Sequence, residues 1–284
     1  MTDPSAHGSL EEFAALVTGG GSGIGLGCAR RLVADGASVT ICGRREDRLV
    51  AACEELSAIA SETATVQYAV ADVTDEDSIA AAVALACEPT GTLVAAIACA
   101  GGSETLGPIT QMDTDAWRRT IDLNITGTML TIKHAARPMA IAGGGSIVGI
   151  SSIASSRTHP WFGAYGVGKA GIDHICRLAA DELGASGIRV NAVRPGLVDT
   201  ELVGFVTAGG PVLDDYLENM PLGRVGTVED VAALVRFLVG PESTWITGQT
   251  IGIDGGHELR RGPDYRSIVE PIYGADALRG MVNP

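Results

Sequence analysis

The sequence predicts an α/β domain built on one doubly wound parallel sheet. Three observations lead there. Short apolar runs alternate with longer segments of helical periodicity along the chain. Several of the short runs are apolar throughout, the pattern of strands buried on both faces by crossover helices. No composition break, low-complexity linker or repeat divides the chain, so the reading is a single domain.

The elements follow in order. Ala14 to Val17 reads as a strand, then a Gly-rich turn enters a helix through Ala34, with Gly36 as its stop. Ser38 to Cys42 is the second strand and Glu46 to Ile59 a helix. Thr65 to Val70 alternates and makes a third strand. Asp75 to Cys87 opens with acidic residues, which favour a helix N-terminus, and continues on an Ala/Val face. Leu93 to Ala98 is a fully apolar strand. One long helix is expected over Thr114 to Ala140, a strand over Ser146 to Ile150, a helix over Ala164 to Leu183 and a strand over Ile188 to Val193. After an irregular stretch come a helix over Val228 to Leu238 and a last strand over Gln249 to Ile253.

Composition narrows the function. Apolar residues make up 46% of the chain, enough for one large core, and 38 glycines suit tight turns and close packing. A formal net charge of -14 repels a phosphate backbone, so no nucleic-acid partner is expected. The six cysteines, Cys28, Cys42, Cys53, Cys87, Cys99 and Cys176, show no metal-ligand spacing, and no metal is expected. They read as reduced thiols. Met1 to Leu10 lacks the apolar stretch of a signal peptide, and no apolar run is long enough to span a bilayer. These features predict a cytoplasmic chain with no membrane partner.

In a doubly wound sheet the ligand lies beyond the carboxyl ends of the strands. After the first strand comes Thr18-Gly19-Gly20-Gly21-Ser22-Gly23-Ile24-Gly25, running into a helix. Glycines there admit a pyrophosphate to the backbone, and the helix N-terminus offers free N–H groups. After the second strand comes Gly43-Arg44-Arg45, with no acid to receive ribose hydroxyls. Two arginines in an acidic protein suit the 2′-phosphate of NADP, with NAD the alternative. They also fit a solvated helix entry balanced by Glu46 and Asp47. Asp72, ahead of Val73, could accept from an adenine amino group or start a helix. After the fifth strand come Ser151 and Ser152. Tyr165 and Lys169, spaced i,i+4, share one helix face. An ammonium nearby favours a phenolate, and a serine hydroxyl can bond a substrate oxygen as charge develops.

Together these residues resemble the short-chain dehydrogenase/reductase family, over Phe13 to Gly256. The match rests on the Thr18 to Gly25 loop, Asp72, Asn124 in Asp122-Leu123-Asn124, Ser152, Tyr165-Gly-Val-Gly-Lys169 and Arg194-Pro195-Gly196. Val198-Asp199-Thr200, Pro221-Leu222-Gly223-Arg224 and Asp254-Gly255-Gly256 extend it. The resemblance implies a Rossmann-like fold and a hydride transfer between a nicotinamide cofactor and a carbonyl or secondary alcohol. It implies four catalytic residues. Tyr165 passes the proton. Lys169 holds the nicotinamide ribose and, with the oxidised ring, depresses the tyrosine pKa. Ser152 orients the carbonyl, and Asn124 fixes a water leading to solvent. Gly19, Ser22, Gly23, Ile24, Gly25, Arg44, Arg45, Asp72, Val73, Ala100, Gly101, Tyr165, Lys169, Pro195, Gly196, Val198 and Thr200 are the implied cofactor contacts. Dimers or tetramers of identical subunits are also implied. Two departures stand out. Ala98-Cys99-Ala100-Gly101 replaces the family's Asn-Asn-Ala-Gly, whose amides brace the sheet, and Ser22 stands where many NADP-preferring members carry a basic residue.

Ile153, His159, Trp161 and Phe162 are candidates for the wall of a small-molecule substrate site, or simply core. Leu202 and Phe205 lie in a stretch, Leu197 to Pro221, whose Gly204, Gly209 and Gly210 would permit a mobile lid. An apolar ketone or alcohol suits these side chains. The reading divides the chain into a dinucleotide-binding and catalytic domain over 1–256 and a C-terminal extension over 257–284. The extension is too apolar for a free end, and is expected on a neighbouring subunit near its site or folded on its own. A dinucleotide-binding sensor without turnover is the alternative function. It leaves the set of Asn124, Ser152, Tyr165 and Lys169 without a purpose.

Overall fold

Strand register sets the architecture. Ala14 to Thr18 of the first strand lie beside Ser38 to Cys42 on one side, and Ala15 to Thr18 lie beside Ala95 to Ala98 on the other, all parallel. The computed structural model describes residues 10, 11 and 13–281. Its seven strands are β1 (Ala14–Thr18), β2 (Ser38–Gly43), β3 (Val66–Val70), β4 (Ala95–Ala98), β5 (Gly145–Ile150), β6 (Ile188–Pro195) and β7 (Thr250–Ile253). They form one sheet in the order β3-β2-β1-β4-β5-β6-β7. The chain winds outward from β1 through β3, then returns to build the other half from β4. That reversal opens a crevice beyond the carboxyl ends of β1 and β4.

Apolar strands sort their side chains onto two faces. On one face Val17, Ile41, Ile97 and Val148 pack against α1 (Gly23–Ala34), α2 (Glu46–Ser57) and α9 (Val228–Val239). On the other, Leu16, Ala96, Ile147 and Val190 meet α3 (Glu76–Cys87), α5 (Gly127–Ala142) and α6 (Tyr165–Leu183). Every residue of β1 and β4 is buried, whereas the edge strands β3 and β7 are only partly covered.

Several boundaries differ from the sequence reading. Asp75 is the cap of α3 rather than its first residue, accepting the Ser78 N–H at 3.1 Å. The long helix expected over Thr114 to Ala140 is broken. α4 (Thr114–Ile121) leads into a π-helical turn, Asp122–Thr126, before α5 begins, and the Gly127 N–H reaches back to Asp122 O. Periodicity does not reveal one inserted residue in a helix, and such turns concentrate at functional sites. The irregular stretch after β6 holds two helices, α7 (Gly204–Thr207) and α8 (Pro211–Glu218). The extension adds α10 (Arg266–Tyr273) and α11 (Ala275–Leu278), and both pack on their own chain. The polar start read over Met1 to Ser9 and the last three residues lie outside the described residues. Among the described residues no helix is long and apolar enough to cross a membrane, and the six cysteines are free thiols.

Candidate active site

Backbone crowding shapes the first half of the crevice. Gly19 has φ +67, and a Cβ there would lie 3.0 Å from Ala100 N, so the loops after β1 and β4 meet closely. A side chain at Gly25 would collide with Gly19 O, which lets α1 rise directly from the loop. Ser22 precedes α1 in extended conformation, its hydroxyl makes no cap bond, and no acid sits in the first turn. The helix N-terminus therefore presents its N–H groups and positive dipole end without a side-chain counter-charge. Ile24 packs on the core below. Thr200, from the loop after β6, approaches within 3.4 Å of a Cβ placed on Gly23, and Gly196 is pressed against Asp254. Val198 pairs with Gly226, which fixes the loop from Pro195 to Thr200 above the glycines. A cradle of glycine backbone at a positive helix end fits a dinucleotide pyrophosphate.

At the far end of the crevice Arg44 and Arg45 are exposed. Among the described residues neither forms an ion pair. Glu46, expected to balance them, receives the Tyr68 hydroxyl at 3.4 Å instead. Asp72 performs the helix-entry role. Its Oδ1 accepts the Thr74 N–H at 2.9 Å and the Thr74 hydroxyl at 2.8 Å. The Thr74 N–H bond chiefly holds its carboxyl below the ordinary range, against partial burial, and the Arg44 guanidinium adds to this. Val73 is buried, and Gly127 allows the helix to close on it. Sequence reasoning missed the ion pair of Arg48 with Glu201, which joins α2 to the loop after β6. Glu201 lies 153 residues from Arg48, so no local spacing signals the pair.

Thr18 resolves the departure at Ala98 to Gly101. Its hydroxyl accepts the N–H groups of Cys99 and Ala100, both at 3.1 Å, and lies 3.4 Å from Ile97 O. A hydroxyl from β1 thus braces the end of β4 where an amide is absent.

The second half of the crevice gathers four polar side chains. The π turn points Asn124 inward, fully buried, with Nδ2 donating to Gly102 O and Thr120 O at 2.7 Å each. Ser152 follows β5 and its Oγ accepts the Ala154 N–H at 3.2 Å. Tyr165 opens α6, whose entry is pinned by the Ala164 N–H to Thr105 Oγ1 at 2.8 Å. One turn on, Lys169 Nζ donates to Ile150 O at 2.8 Å and lies 5.5 Å from the Tyr165 ring centroid. A Cβ on Gly101 would sit 2.8 Å from Asn124 Oδ1 and 2.9 Å from Lys169 Nζ, so both converge where Gly101 leaves room.

Burial dominates the protonation of this group. The Tyr165 phenol is pushed up to about 12 by burial, partly opposed by a hydrogen bond from Ser152. Lys169 is pushed down to about 8 by burial, with Cys99 and Asp173 opposing. Both shifts have burial as their first cause, and the lowering of the tyrosine implied by the resemblance belongs to the state with the oxidised ring bound. The ammonium bonds a carbonyl rather than the phenol, and desolvation is the largest cause of the shift in each group.

The residues before Tyr165 pack against the C-terminal extension. Ile153 is buried. Phe162 lies 4.8 Å, centroid to centroid, from Tyr165 and stacks at 4.9 Å on Tyr265. Trp161 adopts φ +71, unusual for a side chain of its size, and its indole N–H bonds Asp264 at 3.2 Å. Leu202 and Phe205 are exposed at the rim. His159 donates through Nδ1 to Arg157 O at 2.9 Å and is pushed down to about 4, mainly by burial. A separate cleft of about 490 Å³, lined by Arg157, Arg260 and Arg261 among others, includes none of Ser152, Tyr165 or Lys169. Among the described residues no cluster of three or more His, Cys, Asp or Glu is placed to hold a metal.

Comparison with known proteins adds four findings. A family model described as enoyl-(acyl carrier protein) reductase matches residues 19–258. A cis-4-hydroxycyclohexanecarboxylate dehydrogenase of Sinomonas cyclohexanicum is 38% identical over 249 residues, 88% of this chain and 98% of the relative. Among solved structures, a short-chain type dehydrogenase/reductase from Mycobacterium ulcerans superposes with TM-score 0.95 at 54% identity, covering 96% of this chain and 100% of that one. A 7α-hydroxysteroid dehydrogenase complexed with NADH and 7-oxo glycochenodeoxycholic acid superposes with TM-score 0.83 at 28% identity, covering 90% and 98%.

Proposed function

From the premise that this chain belongs to the short-chain dehydrogenase/reductase family, we propose that it interconverts a ketone and a secondary alcohol through Asn124, Ser152, Tyr165 and Lys169. The chain is an oxidoreductase of CH–OH and C=O groups in a family that uses nicotinamide cofactors. The observation that carries the residue roles is the meeting of Tyr165 and Lys169 on one face of α6, beside Ser152 and the inward Asn124. A binder without turnover gains no support from relatives that are dehydrogenases and reductases.

The bound cofactor supplies or accepts the hydride at the substrate carbon. The protein does the rest. The positive end of α1 and the glycine loop Gly19 to Gly25, with Ser22 and Ile24, hold the pyrophosphate. Asp72 and Val73 flank the adenine, and Ala100, Gly101, Pro195, Gly196, Val198 and Thr200 frame the nicotinamide half. In reduction the Tyr165 hydroxyl gives its proton to the substrate oxygen as the carbonyl carbon gains the hydride, and in oxidation it takes the proton back. Ser152 Oγ donates to the same oxygen as negative charge develops. Lys169 supplies a positive charge beneath the tyrosine. Asn124, with Oδ1 beside Lys169 Nζ, anchors the path by which the proton is restored.

NADP is the preferred cofactor in this reading, with NAD the alternative. Two exposed guanidiniums that form no ion pair among the described residues suit a 2′-phosphate. Titration with NADPH and NADH, in wild type and in Arg44→Ala/Arg45→Ala, tests it. Tighter NADPH binding that the double variant loses supports the phosphate site; NADH binding as well or better in wild type refutes it. A cytoplasmic location and a homo-oligomeric state, dimer or tetramer, belong to the same reading. The free thiols and the exposed Trp245 and Leu259 support them.

A further inference from the structure

We propose that the C-terminal extension forms the distal wall of the substrate pocket, and that Tyr265 limits the site to compact ketones and secondary alcohols. This rests on the assignment of Tyr165 as the proton-transferring residue.

The geometry begins at Tyr165. Phe162 lies between two tyrosines, 4.8 Å from the ring of Tyr165 and 4.9 Å from that of Tyr265, parallel to the latter within 12°. Tyr265 is only 2% exposed. Its hydroxyl lies 3.2 Å from that of Tyr216, on α8 of the stretch after β6. The same apolar cluster contains Ile153, next to Ser152, and Leu197, next to Gly196. The extension therefore covers the side chains that flank both the proton donor and the nicotinamide loop.

Three anchors hold this wall. Arg261 makes a two-pronged ion pair with Asp215 of α8, and the Asp264 N–H bonds the same carboxylate at 2.7 Å. The Trp161 indole holds Asp264 from the β5 side. The Tyr273 hydroxyl donates to Leu106 O at 3.1 Å, and Gly107 leaves room for its ring. The stretch Leu197 to Pro221, whose glycines would permit a mobile lid, is strapped to the extension at α8. Gly209 and Gly210 keep positive φ, but the segment that they lead into is tied to the extension. A second ring fused to a substrate would have to displace Tyr265 and break an aromatic stack and a hydroxyl pair. The family match ends at residue 258, so Tyr265 comes from sequence beyond its span while its partners Phe162 and Tyr216 lie within it.

The test compares cyclohexanone with 2-decalone, a ketone with a second fused ring. Reduction is followed with NADPH and NADH in wild type, Tyr265→Ala, Tyr265→Leu and Tyr265→Phe, with melting and cofactor binding as controls for folding. Wild type is expected to favour cyclohexanone. Tyr265→Ala is expected to raise kcat/KM for 2-decalone relative to cyclohexanone at least ~10-fold, through KM, which is a modest gain for one opened apolar pocket. Tyr265→Leu should give a smaller rise, and it serves if the alanine variant does not fold. Tyr265→Phe, which keeps the ring, should leave the ratio unchanged. The wall is refuted if the folded alanine and leucine variants keep the wild-type ratio, or if wild type takes 2-decalone as well as cyclohexanone. Cofactor binding with no turnover of any ketone or corresponding alcohol, by any variant, overturns the proposed function and the wall with it. Cyclohexanone turnover with an unchanged ratio overturns the wall alone.

Discussion

Lys169 Nζ lies 5.5 Å from the centre of the Tyr165 ring, yet its hydrogen bond goes to Ile150 O at 2.8 Å. The ammonium is therefore held beneath the phenol by the sheet rather than by the phenol itself. A buried cation held this way costs stability, which places a functional burden on the fold.

Replacing Lys169 with Met should accordingly stabilise the protein while removing activity. Its ordinary pKa of 10.5 falls to about 8 in the folded chain, so below pH 8 the folded state carries an unfavourable charge. Between pH 8 and 10.5 the unfolded chain still holds the proton that the folded chain has released, and wild-type stability rises with pH. Lys169→Met should gain about 1–3 kcal/mol near pH 7, and the gain should shrink above pH 8. Urea denaturation at both pH values measures it; a gain that grows with pH contradicts the account.

Removing the Tyr165 hydroxyl tests the chemistry without disturbing the packing. Tyr165→Phe should lower kcat by about 10²–10⁴-fold. Cofactor affinity should fall by no more than about tenfold, because the Tyr165 hydroxyl is one contact among many and the glycine backbone and helix end hold the pyrophosphate. Steady-state rates and a binding titration on one preparation separate the two effects.

Thr18→Val keeps the shape of a buried side chain and removes the oxygen that receives Cys99 N–H and Ala100 N–H. Leaving such donors without a partner costs about 1–3 kcal/mol. Thr18→Ser should recover most of this loss. Equal stability of the valine variant and wild type would show that the brace is dispensable.

His159 predicts an acid sensitivity. Burial lowers its pKa from 6.5 to about 4, so the unfolded chain takes up a proton that the folded chain refuses between those values. Stability should fall as pH drops from 6.5 toward 4. His159→Phe should flatten that part of a melting-temperature profile. Carboxylates such as Asp230, held below the ordinary range by Arg224, keep their own acid dependence in both proteins.

Much of the crevice could be read in the sequence because its chemistry is local. The glycine loop, the Tyr165–Lys169 spacing and Ser152 are short-range patterns, and parallel topology follows from strand–helix alternation. Other features depend on contacts between distant segments. The π turn that aims Asn124 inward differs from a helix by one residue of register. Thr18 reads as an ordinary strand residue until β4 is placed beside β1. Tyr265 lies among mixed polar residues, and only the fold brings it against Phe162. The rise of the Tyr165 phenol on burial is illegible for a different reason: spacing predicts a neighbouring charge, but desolvation depends on everything packed around it.

Arg194, at the end of β6, bonds both Asp173 of α6 and Glu258 at the start of the extension. Those two carboxylates enter the chain far apart in time. During synthesis the ribosome completes all seven strands before Glu258 and the segment beyond it emerge, at a pace of about 5–20 residues per second. The nascent chain thus acquires its glycine loop and all seven strands before the segment that carries Tyr265. A message broken just after β7 would encode every strand of the sheet yet leave Arg194 without its Glu258 partner.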